Sequence, residues 1–328
     1  MLGGVNWHHR VPGPNGRDAG RNCSIQLVIR TMRLFIETIG FGLFSGSLIS
    51  LGAVGFTVQF GISNVLNVAY GAFITLAAYL GCMFVNDVHV SLWLAIPIVA
   101  VIVGVLSVAF NRLLPRALLR RGGSFVAVLV GTVWAGITIQ YIIVSIVGPS
   151  TFTYAIGNGT TVNIWDFVLT STQIIVIAGA AVLMLGYHGL LTRTQLGQAM
   201  RATAVNSVVA RSCGIRTDRI TDVAWLISGM LCGATGVVLA ATVSTFDSSL
   251  GTTFLIYMIA AAVLGGVGQP YGAMVGGLVV GVSTQLTGAY LSPAYEDVAA
   301  FVILVLMLLA WPRGLFGSAA SAGRRLVG

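Results

Sequence analysis

The chain has 328 residues, of which 56% are hydrophobic and only 8% are charged. A soluble domain carries about 25% charged residues, so this composition excludes an ordinary soluble enzyme or binding module and predicts an integral membrane protein. The 17 basic residues outnumber the 9 acidic ones, and all of the basic residues are arginine.

The N-terminal segment, residues 1–33, is polar and lacks apolar periodicity. It mixes glycine, proline, histidine and five arginines, a composition typical of disordered segments. Its neighbouring histidines, His8 and His9, have no partner of metal-binding type nearby, and the four cysteines of the chain form no CxxC pair. We therefore predict a disordered tail, no metal site and no cofactor.

Nine apolar segments follow, and most approach the roughly 20 residues that a helix needs to cross the hydrocarbon core. They are Leu34–Phe60, Ile62–Val85, Ser91–Phe110, Phe125–Val147, Thr172–Leu191, Ile220–Val243, Thr252–Val267, Gly272–Ala289 and Tyr295–Trp311. The sequence thus predicts an all-α polytopic membrane protein, a bundle of eight or nine transmembrane helices. The membrane domain is expected over residues 34–317, followed by a short cytoplasmic tail, residues 318–328.

The arginines orient these segments. The loop after the third segment, the loop after the fifth and the C-terminal tail carry four, five and three arginines, while the four intervening loops carry none. The positive-inside rule places the arginine-bearing regions in the cytoplasm. Nine crossings then put the N-terminal tail outside, against its own arginines. Either the tail is an exception, which we favour, or one of the first two segments is re-entrant and the crossings number eight.

The longest cytoplasmic loop, Arg193–Arg219, contains an amphipathic pattern. Apolar and small residues recur there at helical spacing, namely Leu196, Ala199, Met200, Thr203, Ser207 and Val208. The pattern predicts one short helix lying on the membrane surface, ended by Gly214, with Thr217 or Asp218 capping the next helix. Such a helix is either an ordinary surface helix or a docking helix for a soluble partner.

Glycine is abundant within the apolar segments. Small-xxx-small spacings, which let helix backbones approach closely, occur at Gly42/Gly46, Gly229/Gly233, Gly268/Gly272, Gly272/Gly276 and Gly277/Gly281. Close helix packing is the expected role of most of them.

Two glycine-flanked stretches break the apolar pattern with polar residues. They are Gly61–Gly71 and Gly265–Gly277, and each contains a Tyr-Gly-Ala triplet. Interrupted helices in transporters often mark a substrate path, because their freed backbone groups need partners that a cavity supplies; ordinary interhelical turns are the alternative. The candidate path residues are Asn64, Asn67, Tyr70, Gln269 and Tyr271.

Two absences restrict the mechanism. The middles of the apolar segments hold no Asp, Glu or Arg, which disfavours proton coupling, because ion-coupled carriers place ionisable groups there. The sequence also contains no lysine, so it cannot contain a Walker A loop, whose lysine contacts nucleotide phosphates. If transport is ATP-driven, another polypeptide hydrolyses the ATP.

Four stretches in order resemble one known family. Gly197–Ala204 with Ala210–Asp218 is similar to the cytoplasmic coupling loop of the LivH-like permease subunits of branched-chain amino acid ABC importers. Asn67–Phe73, Ala261–Gly277 and the ending through Trp311–Gly317 resemble other segments of that family. The resemblance runs from about Arg33 to Gly317, and Tyr70 and Ala72 stand where the family has His and Glu.

The resemblance implies a plasma-membrane permease that pairs with a second permease, two cytoplasmic ATPase subunits and an extracytoplasmic substrate-binding protein. It is then a transport subunit in contact with lipid and has no role with nucleic acid. The residues implied to couple it to the ATPase are Gly197, Ala199, Arg201, Ala202 and Gly214. Branched-chain amino acids are the expected solutes.

Three other functions remain open from the sequence. They are an ABC permease for amides or urea, a stand-alone ion-coupled carrier of a small polar solute, and a membrane scaffold without transport. A scaffold is disfavoured because interrupted helices cost free energy and a scaffold does not need them.

Overall fold

The computed structural model describes residues 16–148, 150–154, 161–164, 167–243, 245–311 and 314–316. Within them it contains twelve α-helices, one short 3₁₀-helix and one β-hairpin. The helices are α1 (Gly16–Ser63), α2 (Tyr70–Asn86), α3 (Leu92–Leu113), α4 (Pro115–Arg120), α5 (Phe125–Val147), α6 (Ser171–Arg193), α7 (Gln195–Val205), α8 (Ser207–Ser212), α9 (Thr217–Thr242), α10 (Leu250–Gly265), α11 (Pro270–Tyr290) and α12 (Glu296–Ala310). The 3₁₀-helix spans Pro293–Tyr295.

Seven of the described helical segments are long and apolar enough to cross a membrane. Two shorter apolar helices, α2 and α10, have 17 and 16 residues. Together they make nine, one for each apolar segment predicted from the sequence. The all-α polytopic fold class is confirmed.

A β-hairpin lies in the loop between α5 and α6. Strand β1 (Thr161–Ile164) pairs antiparallel with β2 (Phe167–Thr170), so that Thr161 faces Thr170 and Ile164 faces Phe167. The sequence pattern predicts only a loop between these two helices. Its β-branched and aromatic residues favour strands, but they are too few to produce a signal against the apolar background.

Helix α1 begins earlier than the sequence indicated. A disordered tail was predicted through residue 33, whereas the helix already starts at Gly16. No proline follows Pro14 before α1 ends, and extending an existing helix avoids the cost of a new nucleus. Residues 1–15 and 317–328 lie outside the described residues, and these include the whole of the predicted C-terminal tail, residues 318–328.

The two ends of the bundle can be told apart by their contacts. Ile62 and Ser63, at the end of α1, line a cavity together with Thr203 and Ser207 of the α7–α8 region. Arg116 of α4 pairs with Asp218 at the start of α9. The two arginine-bearing loops after α3 and after α6 therefore share one end of the bundle, as the positive-inside rule requires. Since α1 is one helix that ends there, its start lies at the opposite, outer end.

Helices α1 and α11 pack through the predicted glycines. A Cβ at Gly277 would lie 2.5 Å from the Ser50 Cα, and one at Gly281 would overlap the backbone of Gly46. A side chain larger than hydrogen at these positions would separate the two helices. The small-xxx-small pairs of these helices thus serve close packing.

Candidate functional site

The predicted cytoplasmic helix is present, but it is divided in two. The Thr194 hydroxyl accepts from the Gly197 amide at 3.0 Å and caps α7. At Asn206 the chain turns, and the Asn206 Oδ1 accepts from the amides of Val208 and Val209 and caps α8. Gly214, with φ of 83°, ends α8 as predicted. We call α7 and α8 together the cytoplasmic elbow.

The inner face of the elbow is buried against the bundle. Met200 and Thr203 are buried. A Cβ at Gly197 would overlap the carbonyl oxygens of Leu190 and Leu191. Gly197 therefore permits the tight turn from α6 into α7 and does not point away from the bundle.

The outer face of the elbow exposes both charged and apolar residues. Arg201 and Ala202 are exposed, whereas Ala199 is half-buried. Three valines are also exposed, Val205 at 72%, Val208 at 73% and Val209 at 55%. Exposed apolar side chains on a cytoplasmic helix pair are typical of a protein contact.

These exposed valines differ from the sequence prediction. The helical periodicity predicts one straight helix, with Val208 on the inner face together with Met200. The bend at Asn206 turns α8 and moves Val208 outward. The available signal was Asn206 itself, because Asn is a preferred N-cap residue and stands in the middle of the predicted helix.

The expected cap of α9 is wrong. The N-cap position is Arg216, which makes no side-chain cap, and Thr217 and Asp218 already lie within the helix. The Thr217 hydroxyl accepts instead from the Nε and Nη2 of Arg211, at 3.3 and 3.0 Å. This contact ties α8 to the start of α9.

An ion cluster joins α3 and α4 to α9 beside the elbow. Asp222 accepts from Arg112 at 2.8 Å and pairs with Arg116 at 3.5 Å. Arg116 also pairs with Asp218 at 2.7 Å, and Arg120 lies 3.7 Å from the same carboxylate. From the sequence, these arginines indicate only the orientation of the helices, and no local pattern marks Asp222. Asp222 is the least exposed member of the cluster, with 13% of its side chain exposed.

The first predicted break is a non-helical segment, residues 64–69, between α1 and α2. It runs against α5: the Thr132 hydroxyl donates to the Leu66 carbonyl at 3.3 Å and accepts from the Val68 amide at 3.4 Å. Asn64 has a φ of 55° and leads the chain out of α1. The segment is thus more than a surface turn, since its freed backbone groups find partners inside the bundle.

Asn67 and Tyr70 are buried at this break. Asn67 is 1% exposed, and among the described residues neither its Nδ2 nor its Oδ1 has a hydrogen-bond partner. The Tyr70 hydroxyl donates to the Gly52 carbonyl at 3.1 Å. A buried amide without partners costs about 1–3 kcal/mol, so Asn67 calls for an explanation beyond packing.

The second predicted break is a short turn, residues 266–269, between α10 and α11. A Cβ at Gly61 would lie 3.2 Å from the Gly268 Cα, so this turn rests on the end of α1. The amides of Leu315 and Phe316 donate to the carbonyls of Leu264 and Gly265. These two residues thereby supply hydrogen-bond donors to carbonyls that have no partner within α10 at its end.

The five candidate path residues do not share one environment. Asn64 lines a cytoplasmic cavity of about 320 Å³, while Asn67 and Tyr70 are enclosed. Gln269 is half-buried at the turn before α11. The Tyr271 hydroxyl lies 2.9 Å from the Nδ1 of His188 on α6. The structure therefore brings the two breaks together near Gly61 and leaves Tyr271 at a different helix contact.

On the outer side, Tyr154 anchors the loop after α5. Its hydroxyl donates to the Ala78 carbonyl at 2.8 Å, and burial raises the pKa of the Tyr154 phenol. The phenol therefore stays protonated at physiological pH and remains a donor. The Asn86 Nδ2 donates to the Thr153 carbonyl at 2.9 Å, which fixes the same loop to α2.

Residues 38–310 match the family described as "Branched-chain amino acid transport system / permease component". The chain is 28% identical over 295 residues to the high-affinity branched-chain amino acid transport system permease protein LivH of Salmonella typhimurium, covering 86% of this chain and 96% of that one. The probable LivH of Methanocaldococcus jannaschii is 27% identical, covering 83% and 89%. The permease LivM of Salmonella typhimurium is 25% identical, covering 80% of this chain and 66% of LivM.

Proposed function

The chain belongs to the branched-chain amino acid transport permease family, and from this premise we propose that it conducts branched-chain amino acids through a pore formed with a second permease. As a family member it is a multi-pass inner-membrane subunit of an ABC importer and not an enzyme. The transported solute, the partner subunits and the roles of individual residues are proposals.

The observation that carries this proposal is the cytoplasmic elbow. Its three exposed valines, with Ala202 and Arg201, form a surface that suits insertion into a groove of a cytoplasmic ATPase subunit. The chain has no lysine for a nucleotide-binding loop of its own. Two such ATPase subunits would drive the pore, each pressing on the elbow of one permease.

The pairing with a second permease is supported by the match to LivM. LivH and LivM carry the name of the same transport system, and this chain resembles both. Closure of the ATPase pair would move the elbow, and the buried contacts of Met200 and Thr203 would pass that movement to the bundle as a rigid-body motion. An extracytoplasmic binding protein would deliver the amino acid at the outer end.

We propose that Asn67 and Gln269 belong to the translocation path, supported by the side chain of Asn67, which is unpaired among the described residues, and by the meeting of the two breaks near Gly61. Replacing Asn67 with leucine is expected to slow transport at saturating substrate, because it removes a polar partner worth about 1 kcal/mol net. Gln269→Leu should act in the same direction. Initial uptake rates in proteoliposomes measure the effect, and the binding protein's affinity is the control, which neither change should alter.

For Asn67, the melting temperature and the transport rate together separate a role in transport from a purely structural role. Its side-chain atoms have no partner among the described residues, so the leucine variant should be at least as stable as the wild type. An Asn67→Leu protein that keeps its melting temperature and transports normally would remove Asn67 from the path.

A substrate panel tests the solute. Proteoliposomes containing the permease with its co-encoded partners are supplied with labelled leucine, isoleucine and valine, other amino acids, short amides and urea. We expect saturable uptake of the branched-chain amino acids in preference to the other solutes. Uptake of only amides or urea would contradict the assigned solute and leave the family membership unaffected.

A further inference from the structure

A polar cavity of about 430 Å³ lies at the cytoplasmic end of the bundle, between α4, the elbow and the start of α9. This volume is within the range of small-molecule sites, about 300–1,000 Å³. Ile62, Ser63, Thr203 and Ser207 line both this cavity and the smaller one at Asn64. The two cavities are therefore adjacent, one beside the first break and the other beside α4.

The cavity wall carries arginines that can still pair with an anionic group. Arg116, Arg120 and Arg211 line it, against a single carboxylate, Asp218. Arg116 is occupied by Asp218 and Asp222. Arg211 donates to the Thr217 hydroxyl, and within the described part of the chain it has no carboxylate partner. Arg120 holds Asp218 only at 3.7 Å.

The remaining wall divides into a hydroxyl side and an apolar side. Thr203, Ser207 and Thr221 contribute hydroxyls, and Val65 and Leu119 contribute apolar surface. A guanidinium suits a carboxylate, Asp218 and the hydroxyls suit an ammonium group, and the apolar wall suits an aliphatic side chain. An apolar amino acid carries these three groups together.

We propose that this cavity is a cytoplasmic binding site for the imported apolar amino acid, through which the internal pool slows further import. The proposal rests on the proposed function. The bound carboxylate accepts from Arg211 on α8 and Arg120 on α4, and so joins the elbow to the bundle. A ligand that binds only one arrangement of these elements shifts the population toward it, and the elbow can then no longer follow the ATPase.

Direct binding is measured on the full-length permease in lipid nanodiscs without ATPase or binding protein, using labelled leucine. We expect saturable binding that leucinamide, which lacks the carboxylate, does not displace. Arg211→Gln and Arg120→Gln should each weaken binding by about tenfold, since each removes a charge-assisted hydrogen bond. Arg121→Gln, which removes the same charge from the next residue outside the cavity wall, should bind as the wild type does.

Uptake provides the second readout, in proteoliposomes of the complete transporter that are empty or loaded with leucine. Loading should slow the wild type and Arg121→Gln, but not Arg120→Gln, whose uptake into empty vesicles should be normal. If leucine does not bind the permease, or binds it equally in the Arg120 and Arg211 variants, the inference is wrong. A loss of uptake into empty vesicles with Arg120→Gln would also overturn it, since the cavity then receives an ATPase side chain.

The two proposals fail in different ways. A wild-type transporter that imports leucine normally, with a permease that does not bind it, removes the cytoplasmic site and leaves the proposed function intact. A wild-type transporter that imports no branched-chain amino acid removes the proposed function, whatever the binding assay shows.

Discussion

Replacing Gly281 with leucine is expected to prevent stable folding of the membrane bundle. A Cβ at this position would overlap the Gly46 backbone on α1, and one turn earlier a Cβ at Gly277 would lie 2.5 Å from the Ser50 Cα. Backbone atoms cannot rotate away as a side chain can, so the whole α1–α11 interface must open. Overpacking typically costs about 1–3 kcal/mol and occasionally more, and we expect the upper end of this range or beyond.

The matched control for this substitution is Gly186→Leu on α6. A Cβ at Gly186 meets no other atom within 4 Å, so the same chemical change there should leave the protein stable. The melting temperature in detergent and the yield of monodisperse protein measure both variants. If Gly281→Leu melts at the same temperature as Gly186→Leu, the close α1–α11 contact is not present in the folded protein.

The double substitution Val205→Asp with Val208→Asp is expected to abolish substrate-stimulated ATP hydrolysis by the assembled transporter. These side chains are 72% and 73% exposed, so the bundle should fold normally. A buried hot-spot residue at an interface contributes about 2 kcal/mol or more, and two carboxylates placed in an apolar groove add a desolvation cost. We expect stimulation to fall by at least about tenfold.

Conservative variants at the same positions separate docking from folding. Val205→Ile with Val208→Ile keeps the apolar surface and should keep most of the stimulation. Co-purification of the ATPase subunit with the permease reports the contact directly. Full stimulation in the aspartate variant would show that the elbow is an ordinary surface feature.

The helical architecture could be predicted from the sequence because membrane helices leave a strong signal. Long apolar segments specify the crossings, arginine placement specifies their direction, and the Gly277/Gly281 spacing specifies a close helix contact that the structure contains. These signals are local, so a single sequence holds them. The two breaks were predictable for the same reason, since polar residues and glycines interrupt apolar runs.

The features that were missed depend on contacts between distant residues. The bend at Asn206 turns Val208 outward, although the periodicity of one straight helix placed it inward. Asp222 contributes through Arg112 and Arg116, more than 100 residues away in sequence. Thr217 was expected to cap α9, but its hydroxyl is engaged by Arg211. In each case the tertiary partner, which the local pattern does not contain, decides the role of the residue.

The energy source of leucine uptake in proteoliposomes tests most directly whether this chain is the permease subunit of an ATP-driven importer. Vesicles contain either this chain alone or this chain with its co-encoded permease, ATPase subunits and binding protein, and uptake is measured with ATP or with an imposed proton or sodium gradient. We expect vanadate-sensitive, ATP-dependent uptake only in the complete assembly, and no ATP hydrolysis by the isolated chain. Gradient-driven accumulation of leucine by the chain alone would contradict this role.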